Sequence, residues 1–126
     1  MTDLRHPALR YRDVNRITDR RLIDVQWEPG VDAKNEWVLA SLEDEEHRRR
    51  LLAWLDGEKV PPDSDAFLFY AGESQLVMVI WREVLAAPER FFADRKFRVV
   101  SKDLDWVLEY WKEGTARFGR RPPKKG

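Results

Sequence analysis

Two apolar runs, Ala66–Tyr70 and Leu76–Trp81, flank a short polar stretch that contains Gly72. Runs of this length, rich in aromatic and β-branched residues and broken by a glycine turn, predict a β-hairpin with both strands largely buried. The hairpin is expected at the centre of a sheet. After Trp81 the spacing changes. Val84, Leu85, Phe91 and Phe92 can share a helical face, which predicts a helix over about 82–93, broken near 87 ahead of Pro88.

Upstream, the clearest helical pattern runs over about 42–57. Ser41 is placed to cap it, with Asp44 three residues on as the reciprocal member of a capping box. Glu43, Asp44, Glu45 and Glu46 crowd the positive end of the helix dipole, and Arg48, Arg49 and Arg50 lie towards its negative end. Leu51, Leu52, Trp54 and Leu55 form the side to be buried. Gly57 and then Pro61-Pro62 end the helix.

The remaining segments are less regular. Residues 1–20 carry no sustained period and read as an irregular basic N-terminus, although a short helical turn fits 11–16. Leu22, Ile23, Val25 and Trp27 suggest a strand at about 21–27, and Lys96–Val100 suggests another. Asp103–Trp111 satisfies both helical and alternating templates; its aromatic content beside the turn at Gly114 favours a second hairpin with Ala116–Phe118. A basic tail from about 119 to 126 is expected to fray. The elements together predict one α+β domain over 1–126, an antiparallel sheet of four or five strands with the 42–57 and 82–93 helices packed against it.

Composition narrows the class. At 126 residues and 43% apolar, with six Trp, six Phe and three Tyr, the chain can bury a core without staples. Its charged fraction of 37% and lack of a long apolar run argue against a membrane protein. The start, Met-Thr-Asp-Leu-Arg-His-Pro, has no secretory pattern, and there is no cysteine, so a cytoplasmic location is expected. The net charge of zero conceals segregation. Residues 1–23 hold six Arg against three Asp, residues 24–94 seven basic against sixteen acidic side chains, and residues 95–126 ten basic against four acidic. An acidic middle between basic ends bears on association rather than on fold.

Candidate chemistry is sparse. His6 and His47 are the two histidines; with no cysteine they make a poor metal set, and neither metal nor cofactor is expected. Ser41, Ser64, Ser74 and Ser101 lack the Gly-x-Ser-x-Gly setting of a nucleophile. Asp63, Asp65 and Glu73 could cluster near the hairpin for acid–base work, but so acidic a region produces clusters by chance. No enzyme activity is expected. Two binding readings remain. Glu43, Asp44, Glu46, Asp63, Asp65 and Glu73 could form a negative surface for Lys or Arg of a protein partner. Alternatively Arg95, Lys96, Arg98, Arg117, Arg120, Arg121, Lys124 and Lys125, interleaved with Trp106, Tyr110, Trp111 and Phe118, could bind nucleic acid.

Over about residues 65–122 the chain shows an aromatic strand, a turn and an apolar strand ending in Trp81. A helix ending in Phe91-Phe92 follows, then Trp106-Val-Leu-Glu-Tyr-Trp-Lys-Glu-Gly and Phe118-Gly119-x-Arg121-Pro122. This pattern resembles small bacterial α+β domains of unknown function, of the kind found as immunity proteins beside polymorphic toxins. The resemblance assigns no site residue. It implies a non-enzymatic protein that neutralises a basic toxin domain by covering its active site.

Overall fold

The computed structural model describes residues 11–28, 36–70, 77–92, 96–111 and 114–122. It has an α+β fold. In chain order the elements are α1 (Tyr11–Arg21), β1 (Gln26–Trp27), β2 (Val38–Leu39), α2 (Glu45–Asp56), β3 (Asp65–Tyr70), β4 (Val77–Ile80) and α3 (Trp81–Ala86). A single 3-10 turn (Pro88–Arg90) then leads to β5 (Phe97–Ser101), β6 (Trp106–Trp111) and β7 (Thr115–Arg120).

One antiparallel sheet of seven strands runs β1-β7-β6-β5-β3-β4, and β2 also lies along β7. β1 pairs with Arg120 and Gly119, and β2 pairs with Ala116 and Thr115, so the two share one side of β7. Among the described residues the strands number seven instead of four or five: β1 falls within the strand expected at about 21–27, whereas β2 is too short to show a period. The 65–80 hairpin is not the centre of the sheet. β4 is an edge, and β5 and β6 occupy the middle.

The register sorts side chains onto two faces, since alternate residues of a strand point oppositely. Ala66, Leu68, Val79, Phe97, Val99, Trp106, Leu108, Tyr110, Ala116 and Phe118 lie on one face. They form the main core with Leu51 and Leu55 of α2, Trp81 and Val84 of α3, and Phe91 and Phe92. Aromatic rings mesh there. Trp81 meets Trp106 edge-on with centroids 5.2 Å apart, and Phe92 meets Tyr110 at the same separation. The opposite face carries Phe67, Phe69, Val100 and Val107, and Leu22 after α1 buries part of it. Covering both faces makes β5 and β6 read as continuous apolar runs.

Three local expectations are corrected. Asp44, not Ser41, caps α2: its carboxylate accepts from His47 N at 2.8 Å, while Ser41 Oγ accepts from Glu43 N at 3.1 Å. The N-terminal region is helical over Tyr11–Arg21 instead of irregular, and residues 1–10 lie outside the description. Gly119 and Arg120 belong to β7 instead of a fraying tail, and residues 123–126 lie outside the described residues. The break expected near 87 is present. Pro88 lacks an N–H and restricts Ala87, which leaves helical geometry at φ −141°, ψ 65°.

Candidate functional site

The six acidic residues expected to meet a partner fall in two places. Glu43 and Asp44 precede α2 and Glu46 lies in its first turn, all exposed. Asp63 and Asp65 sit at the entry to β3, also exposed. Glu73 lies outside the described residues. The twelve residues of α2, about 18 Å of helix at ~1.5 Å per residue, separate the two groups along the chain.

Their local partners differ. Glu46 accepts from Arg49 and from Arg50, the latter at 2.9 Å. Those hydrogen bonds, that to Arg49 first, hold its carboxyl below the usual range. Asp63 is ion-paired with Arg82. Glu43 and Asp65 make no ion pair among the described residues. Asp44 is occupied structurally as the α2 cap.

The C-terminal arginines, read as a basic surface, are instead joined to acids from earlier in the chain. Arg117 donates to Glu109 through Nε at 2.9 Å and to Glu36 through Nη1 at 2.7 Å. Its guanidinium lies 3.6 Å from the Trp27 ring centroid and 4.6 Å from that of Trp37. Arg98 reaches Asp19 at 2.8 Å and Asn15, both on α1, and sits above the Phe69 ring. Arg120 pairs with Glu28 and donates to the Glu58 backbone oxygen, with the Glu58 carboxylate 3.5 Å away. Arg121 lies 3.8 Å from Asp24. Folding thus brings the acidic and basic blocks of the sequence against each other.

The interleaving of aromatic and basic residues has a plain structural cause. Trp106, Tyr110 and Phe118 face the main core, while Arg98 and Arg117 face the other side of the sheet. Sequence neighbours on a strand are on opposite faces, so three of the four rings proposed to stack on bases are buried. Trp111 is the exception. It stays on the arginine face, edge-on to Trp37 at 6.1 Å, with Lys96 Nζ 3.7 Å from its centroid.

A cleft of about 310 Å³ opens between α1 and the starts and ends of the central strands, lined by Asn15, Asp19, Phe69, Lys96, Arg98 and Glu109 among others. Its charged groups are already matched: Asp19 with Arg98, Glu109 with Arg117, and Lys96 with the Trp111 ring. None of the six expected acids lines it.

Glu58, one of the acids of the negative middle region, is strongly perturbed instead of being free for a partner. Glu58 is 6% exposed and its carboxyl is pushed up to about 8, by burial first and then by its hydrogen bond to Glu28, with Arg120 opposing. Arg120 stands 62 positions away in sequence, so no local pattern could have linked them. Among the described residues no group of histidine and carboxylate side chains could hold a metal ion, and no helix is long and apolar enough to cross a membrane. No family model, curated protein or solved structure matches the chain.

Proposed function

We propose that this chain is a non-enzymatic protein-binding domain of the immunity-protein kind, which acts in the cytoplasm by covering the active site of a basic toxin domain. The supporting observation is the placement of Glu43 and Asp65. Both are exposed, and both lie clear of the ion pairs that absorb the C-terminal arginines. Carboxylates left facing solvent are available for Lys or Arg of a partner, and such charges steer encounter and set specificity more than they set affinity. Glu46 and Asp63, already paired with arginines of their own chain, would contribute less. The burial of Trp106, Tyr110 and Phe118 weighs against the nucleic-acid alternative, which needs those rings as stacking platforms. Co-expression with the protein encoded by the adjacent gene tests the proposal. The neighbour should be toxic alone and tolerated with this chain present; a harmless neighbour, or one that stays lethal, overturns the reading.

A further inference from the structure

β4 forms one edge of the sheet, and its backbone shows which groups that edge offers. Trp81 N donates to Ser64 O at 2.9 Å, two residues beyond the Ala66–Val79 pair, so Trp81, Val79 and Val77 turn their peptide groups towards β3. Met78 and Ile80 therefore point theirs outwards. Ile80 N–H confirms the direction, because it donates to Glu83 Oε1 at 3.0 Å instead of to β3. The N–H and C=O of Met78 are left facing away from the sheet, with no strand beside them among the described residues, whereas Ile80, the N-cap of α3, turns its C=O to the first bond of that helix.

The side chains of this edge are apolar: Val77, Met78, Val79 and Ile80, with Val77 42% exposed. Its charged surroundings have one sign in excess. Glu83 sits at the outward N–H of Ile80, Asp65 is in register with Ile80 on β3, and Asp63 stands just before it, against Arg82, which pairs with Asp63, and Lys102, which lies beyond Asp65 on the far side of β3. Edge strands that natural proteins keep unpaired are blunted by lysine, proline or a bulge. β4 has neither of the first two; it is blunted by its length of four residues and by the carboxylate of Glu83.

We propose that β4 receives an extended, basic segment of the protein partner as an additional antiparallel or parallel strand, with Met78 supplying the first backbone hydrogen bonds. This rests on the protein-binding reading above and deepens it. Backbone pairing to Met78 holds the segment about 4.8 Å from β4. Its apolar side chains extend the surfaces of Val77 and Met78. Its lysine or arginine side chains meet the acidic end formed by Glu83 and Asp65.

The test uses the full chain and a short synthetic peptide alternating valine and lysine, with a valine–glutamate peptide of equal length for comparison. Amide exchange at Met78 is followed while peptide is added. The basic peptide should slow that exchange saturably and the acidic one should not. Met78→Pro removes an outward N–H without touching the β3 ladder, a position where an edge strand accommodates proline, and should abolish binding. Val77→Lys, a second variant at an exposed side chain, should weaken it through repulsion. Equal binding of both peptides, binding that survives Met78→Pro in a protein with unchanged thermal unfolding, or no protection at Met78 would each overturn strand addition. Co-expression separates this from the broader proposal. A Met78→Pro protein that still neutralises the adjacent gene product removes the strand and leaves protein binding standing.

Discussion

Arg120 holds the buried Glu58 at two points, donating to its backbone oxygen and standing 3.5 Å from its carboxylate. Glu28 shares the same guanidinium. The three residues join the end of β1, the turn after α2 and the end of β7, so the pairing fastens the split edge of the sheet to the helical layer.

That relationship makes stability depend on pH in a definite direction. The carboxyl of Glu58 sits near 4.5 when unperturbed and at about 8 in the fold, burial being the main cause. Between those values the native protein holds a proton that the unfolded chain has released, so stability from this group is complete below the lower value and lost as pH rises through the upper. Glu58→Gln, which imitates the protonated form, should unfold at a higher temperature than the natural protein one pH unit above 8 and at a similar temperature near the lower value. Thermal unfolding across that range checks it. A difference that does not vary with pH would show that Glu58 titrates normally.

Arg117 is held by Glu36 and Glu109 and lies against Trp27 and Trp37. Its side chain is 20% exposed, so solvent screens the pairs in part. Arg117→Ala should cost roughly 2–4 kcal/mol in chemical denaturation, since it strands two carboxylates and removes a stacked plane. Arg117→Lys should recover only a minor share, because an ammonium cannot reproduce the flat contact or the fork.

Gly119 has no room for a side chain. A Cβ there would lie 2.9 Å from Trp27 Cε3, 3.0 Å from Val25 Cγ2 and 3.1 Å from Gln26 O. Because Gly119 pairs with Trp27, Gly119→Ala should push β1 away from β7 and destabilise the protein by about 1–3 kcal/mol. Loss of Trp27 fluorescence shift relative to an otherwise identical Gly119 protein would locate the damage at β1; unchanged stability would contradict the close approach.

The helix cap gives a sharper contrast between two neighbouring residues. Asp44→Ala should destabilise by about 1 kcal/mol, the usual effect of deleting a cap, whereas Ser41→Ala should cost less, since Ser41 meets Glu43 N ahead of the helix and the His47 side chain, and no backbone N–H of α2 among the described residues. Urea unfolding of the two variants distinguishes them. Equal losses would restore Ser41 as an equal partner in the cap.

Much of this fold can be read along the chain, and the limits have physical causes. The hairpins at β3–β4 and β6–β7 and the break before Pro88 are legible because turn glycine, proline and apolar period act within a few residues. Strand position is not. Nothing in Leu76–Trp81 says that β4 is an edge, since that depends on where β5 pairs. α1 is hard to read because Tyr11–Arg21 is mostly polar, and of the side chains described in it, those of residues 15–20, Thr18 alone is buried. The acidic and basic blocks are illegible for the same reason: Arg117 and Arg120 find partners more than sixty positions away, and β alternation places Phe118, the neighbour of Arg117, on the opposite face. Asp44 and Asp65 were both noticed as acids, but only the three-dimensional arrangement separates a helix cap from a carboxylate at a sheet edge.

The most direct measurement is calorimetric titration of the adjacent gene product with this protein, at low and raised ionic strength, for the natural sequence and for Glu43→Lys with Asp65→Lys. Those two positions carry charge without capping a helix or pairing with an arginine among the described residues, so reversal should leave the fold intact. The account expects binding that weakens with salt, and a loss of about tenfold or more in affinity on reversal, about 1.4 kcal/mol, with a shallower salt dependence. Affinity and salt dependence unchanged by the double reversal would contradict the claim that these carboxylates meet a basic partner.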